Sequence, residues 1–127
     1  MQVMKRSISL PDLDFEYKLW KNRLNCHERE LQLYRNRLMA LELESGMPTS
    51  RKVGDLQAIG RDLRRIRKEI LVQEEAMGFY SRDYPIRPEH EHYRQFDEMR
   101  DHLQFLLKSK QELIASIDRE FGIHLFI

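Results

Sequence analysis

A single cysteine, five glycines and four prolines in 127 residues leave this chain with nothing to staple it and little to punctuate it. Cys26 has no partner for an internal disulfide, so a disulfide framework is excluded and a reduced, cytoplasmic setting is expected. No apolar run approaches the ~18 residues of a spanning helix, and no apolar stretch follows the basic residues near the start, as a secretory signal requires. Charge of one sign is also lacking. The 22 basic and 21 acidic residues nearly cancel although 34% of the chain is charged, so no overall attraction to nucleic acid or membrane is expected and partners must be chosen by local patches. Strand-like alternation and internal repeats are absent as well. So are the Gly-rich phosphate loop, the nucleophile elbow, Cys-x-x-Cys and His-Glu-x-x-His. Cys26 and His27 are adjacent on a helix and diverge by about 100°, which argues against a Cys-His nucleophile. These absences predict a non-enzymatic protein without a cofactor.

What is present is helical periodicity. Leu13, Tyr17, Trp20, Leu24, His27, Leu31, Tyr34, Leu38 and Leu41 step three and four along one face, with Trp20, Tyr34 and Leu38 as core anchors. Pro11 suits a first turn, and Ser45-Gly-Met-Pro-Thr-Ser50 reads as a helix-hairpin turn in which Thr49 or Ser50 caps the next helix. Leu56, Ile59, Leu63, Ile66, Ile70, Gln73 and Met77 carry a second helix. Phe96, Met99, Leu103, Leu106, Leu107, Leu113, Ile114, Ile117 and Phe121 carry a third, interrupted by Lys110. The expected fold is all-α: three long helices, about 10–45, 50–78 and 88–121, in an antiparallel up-down-up, coiled-coil-like bundle. Residues 1–9 read as a flexible arm and 10–127 as one domain. The first helix also bears a second line, Leu19, Cys26, Leu33 and Ala40, seven apart. A wide stripe touching two neighbours accounts for it, and so does a homodimer that buries it.

The segment Trp20-Lys-Asn-Arg-Leu-Asn-Cys-His-Glu-Arg-Glu-Leu-Gln-Leu-Tyr-Arg-Asn-Arg-Leu38 resembles a group of small, uncharacterised bacterial helical-bundle proteins. In that group a tryptophan is followed by Leu-Asn, a glutamate and Asn-Arg-Leu, places held here by Trp20, Leu24-Asn25, Glu30 and Asn36-Arg37-Leu38. Cys26 departs from it, standing where the group tends to have an aromatic. The resemblance implies a small bundle and no reaction.

The polar residues offer four candidate sites. His27 stands on the apolar ladder where leucine would pack better, and counting heights through the two connections places Glu69, Glu98 and His102 level with it, a set that would form a metal site. The chain has no Glu-x-x-His, and Glu98 and His102 flank the stripe, so a hydrogen-bonded structural histidine is the simpler expectation. Glu89-His90-Glu91-His92 is ligand-rich but diverges along a helix, so it reads as a solvated first turn. Arg61, Arg65 and Lys68 share a face that can track phosphates; lacking interleaved aromatics, it reads instead as pairing with acidic residues of the third helix such as Asp97, Glu98, Asp101 and Asp118. Phe79, Tyr80 and Tyr84 in the long connection are expected to plug the bundle end beside Leu10, Leu13 and Phe15, with a partner pocket as the alternative. Function is thus expected to lie in protein interaction or self-association, through Leu19, Leu33 and Ala40 and the loop aromatics. A metal-binding bundle and a nucleic-acid-binding helix face are the rivals.

Overall fold

The computed structural model describes residues 6–123. Three long helices, α1 (Leu10–Ser45), α2 (Ser50–Met77) and α3 (Glu91–Phe121), pack in sequence as an up-down-up bundle. Two short strands, β1 (Ile8–Ser9) and β2 (Pro85–Ile86), pair antiparallel with Ile8 opposite Ile86. The strand corrects the expectation of a loose arm at residues 8 and 9. Ile86 is fully buried, and its backbone is tied to the chain entering α1. Residues 1–5 of the expected arm and residues 124–127 lie outside the described residues, whereas Ile123 is buried.

Helix boundaries follow local chemistry. The Ser9 hydroxyl accepts from the Asp12 N–H at 3.3 Å and Pro11 sits in the first turn. Gly46 ends α1 at φ 72°, a left-handed conformation costly for any residue with a Cβ, and its N–H donates to the Glu42 carbonyl at 2.8 Å. Thr49 stands at the cap position of α2, but its hydroxyl turns to the Glu42 carboxylate and caps nothing. α3 begins at Glu91 and not near Pro88, because His90 is extended (ψ 144°) and its Nδ1 accepts from the His92 N–H at 3.1 Å. An imidazole therefore serves where serine or aspartate usually would.

The ladder of α1 is the core. Leu13, Tyr17, Trp20, Leu24, Leu31, Tyr34 and Leu38 are all buried against Leu56, Leu63, Ile66, Ile70 and Met77 of α2 and Phe96, Met99, Leu103, Leu106 and Ile117 of α3. Each fully buried leucine contributes about 2 kcal/mol by removal of its surface from water. Backbones approach most closely along α1/α2 and α2/α3. Long side chains span the α1/α3 side: Trp20 stacks on Phe96 at 4.8 Å between ring centroids, Tyr17 meets both edge-on, and the Tyr34 hydroxyl donates to Asp118 Oδ1 at 3.1 Å. The rungs facing α3 are aromatic because that gap is wider than leucine fills.

Candidate functional site

One rung of the ladder is polar. Lys110, only 4% exposed, projects from the apolar face of α3; its ammonium donates to Glu30 Oε2 at 2.9 Å and to His27 Nδ1 at 2.7 Å. An unpaired ammonium there would cost several kcal/mol, so the carboxylate and imidazole are what make the position tolerable. Burial first, then the charge of Lys110, holds the His27 pKa below the usual imidazole value, against a raising effect from Glu30. His27 is thus a neutral acceptor with its proton on Nε2.

This arrangement separates the four residues expected as metal ligands. His27 faces a cation, while Glu69, Glu98 and His102 line a different groove, of about 270 Å³, between α2 and α3, together with Arg65 and Gln95. Among the described residues no three His, Cys, Asp or Glu side chains are placed to hold a metal ion. Helices of a bundle cross at about 20°, so heights counted through α2 do not carry across to the α1/α3 side. A lysine also reaches back toward the N-terminus of its own helix, which brings Lys110 down to His27. The stripe's interruption at Lys110 was the sequence signal for this site; an apolar-face cation and an apolar-face histidine needed each other.

The Glu89–His92 cluster is only partly a solvated first turn: Glu89 and Glu91 are exposed, but His90 and His92 are half-buried. His90 and His92 stack at 5.2 Å between rings, which is possible because His90 precedes the helix and is not bound by its 100° spacing. His92 Nδ1 donates to Gln73 Oε1, and His92 Nε2 accepts from the Tyr80 hydroxyl at 3.0 Å. Burial, then the neighbouring His90, lowers the His92 pKa. Tyr80 packs on Tyr84 at 4.8 Å and meets both imidazoles edge-on. The expected plug is only partly realised: Leu13 and Ile86 are buried and Tyr80 is half-buried, but Phe79 is 88% exposed, Tyr84 faces solvent, and Phe15 points away from the core.

Pairing between α2 cations and α3 acids is rarer than expected. Lys52 reaches Ser116 at 2.8 Å and Glu120 at 3.7 Å, but Arg67 turns to Glu28 and Asn25 of α1, and Arg65 to Asp62 of its own helix. Asp97 and Asp101 of α3 meet Arg100 locally, and Asp118 takes the Tyr34 hydroxyl. Arg61, Arg65 and Lys68 remain an exposed basic row.

The second line of α1 faces outward. Leu19 and Ala40 are half-buried, Cys26 and Leu33 are exposed, and Phe15 and Leu43 continue the same spacing at 64% and 89% exposure. The stepping 15-19-22-26-29-33-36-40-43 alternates four and three over the length of the helix, with Asn22, Arg29 and Asn36 as polar rungs. Among the described residues, none of the helices is long and apolar enough to cross a membrane. No protein-family model matches this chain, and neither does any curated protein or solved structure.

Proposed function

We propose that this chain is a non-enzymatic helical scaffold that works through protein interaction, and that its first partner is a second copy of itself, seated on the outer line of α1. The observation carrying this reading is the exposure of Phe15, Leu33 and Leu43 in heptad spacing on a helix whose opposite face already fills the core. A wide stripe touching two neighbours accounts for the half-buried Leu19 and Ala40 but leaves Phe15, Leu33 and Leu43 uncovered, and another helix of the same pitch would cover them. A second copy brings a seam of the same length and spacing, about 42 Å from residue 15 to 43 at 1.5 Å per residue. Asn22, Arg29 and Asn36 would set its register at some expense in stability, as polar rungs do in coiled coils. Phe79 and Tyr84 extend the exposed apolar surface at the loop end and suit a further protein contact.

Sedimentation of the wild type beside Leu33→Glu tests it. A wild-type dimer and a folded Leu33→Glu monomer are expected; two identical folded monomers would end the proposal.

A further inference from the structure

We infer that the groove lined by α1 and α2 alone is a binding site for a small organic oxyanion, a carboxylate or phosphate that also carries a hydroxyl or amine. The groove holds about 260 Å³ and is walled by Glu28, Gln32 and Arg35 on one side and by Gln57, Gly60 and Arg64 on the other. Three independent observations converge on it.

First, Arg35 and Arg64, from different helices, line one concavity whose only carboxylate, Glu28, is already paired with Arg67. Arg65 and Arg67, neighbours of Arg64 on α2, are held by Asp62 and Glu28, whereas Arg35 and Arg64 have no carboxylate partner among the described residues. A pair of planar guanidinium forks is the arrangement that carboxylates and phosphates bind most strongly. Second, the wall contains unmet hydrogen-bonding capacity of both kinds. Arg35 Nε is shut off from solvent with no acceptor, and Glu28 Oε1 is shut off with no donor, its other oxygen being engaged by Arg67. Groups left this way are destabilising unless something completes them. Neither atom opens directly into the groove, so an anion reaches Arg35 through a small turn of its guanidinium, and a hydroxyl or amine on the same molecule reaches Glu28 by a similar adjustment.

Third, Gly60 is a buried glycine in the middle of a helix, a choice that costs about 1 kcal/mol relative to alanine. Packing does not demand it: a Cβ there would stand 3.4 Å from Arg64 Nη1 and 3.9 Å from Leu31 Cδ1, ordinary contact distances, and the backbone is not left-handed. The missing methyl instead leaves the groove floor open beneath the Arg64 guanidinium. At about 260 Å³ the groove is just below the roughly 300–1,000 Å³ of drug-sized ligand sites, which suits an acid of a few carbons and not a nucleotide.

The test is an NMR titration following backbone amides and arginine Nε–H signals, with inorganic phosphate, glycerol phosphate and serine as separate probes. Saturable shifts confined to Arg35, Gly60 and Arg64 with at least one probe, at a Kd below about 1 mM, are expected. Phosphate probes alone or serine alone would then assign the oxyanion. Arg35→Gln and Arg64→Gln should each weaken binding about tenfold or more, and Gly60→Ala should weaken it while raising the melting temperature. Arg61→Gln, on the exposed row, should leave it unchanged. No saturable shift with any probe would overturn the inference. So would equal losses in Arg61→Gln and Arg64→Gln, or tight binding of a short single-stranded DNA that depends on Arg61 and Lys68, since either means diffuse charge and not a built site.

Discussion

Two tyrosines on the same apolar ladder are in opposite circumstances. Tyr17 is fully buried and its hydroxyl has no hydrogen-bond partner among the described residues; burial, reinforced by Glu69 and Glu74, raises its pKa well beyond the usual phenol range. Tyr34 donates to Asp118 across the α1/α3 gap. An unsatisfied buried hydroxyl costs about 1–3 kcal/mol, while a bond to a charged acceptor contributes about 1.5–3 kcal/mol. Tyr17→Phe should therefore stabilise the fold by about 1 kcal/mol and Tyr34→Phe destabilise it by about 1–2 kcal/mol. Urea unfolding of the two variants reads both, and a shift of the same sign in each would contradict the assignment. The two histidines give a pH dependence. His27 and His92 both have pKa values lowered in the fold, chiefly by burial, while the unfolded chain titrates near the ordinary value of 6.5. Below that value the unfolded state binds more protons, so stability is fully present above about pH 6.5 and falls as the pH drops toward the folded-state values. His27→Gln and His92→Gln should each flatten that decline in a series of melting curves at different pH; an unchanged slope in both would assign it elsewhere.

At the scale of elements, the helices were legible because each carries an apolar face of period 3.6, and α1 adds a capping serine and a left-handed glycine at its ends. α1 and α2 fall within a residue or so of the expected bounds. The start of α3 was not legible, since its cap is an imidazole whose use depends on Tyr80 and Gln73 packing around the neighbouring His92. The polar rung across α1 and α3 likewise depends on tertiary height. Lys110 contributes little there by its charge, because the cost of burying an ammonium offsets the attraction of Glu30 and His27. Lys110→Met, which keeps the length and drops the charge, is expected to unfold at the same or a higher urea concentration than the wild type. Lys110→Ala, which also opens a cavity, should lose about 2–4 kcal/mol. A large loss in both variants would mean the ion pair itself holds the helices together.

At the scale of the whole molecule, one helix is asked to serve two interfaces. If α1 pairs with a second copy, folding and association are linked, and the melting temperature should rise with protein concentration in the wild type but not in Leu33→Glu. A wild-type melting temperature constant over a hundredfold dilution, about 2.7 kcal/mol of mass action, would separate folding from association. Amino-acid order alone determined the class, the three helices and the antiparallel course of the chain, because these depend on residues close in sequence and on a period that any helix imposes; that the second line of α1 faces outward was decided by the packing. Tertiary structure alone decided which polar groups meet. His27 found Lys110 and not Glu69 or His102, and Arg35 came to line one groove with Gly60 and Arg64. Side-chain partners are set by crossing angle and relative height between helices, quantities that no single segment encodes. The single cysteine, few prolines and sparse glycines excluded much at the outset; where the remaining charges converge was left to the packing.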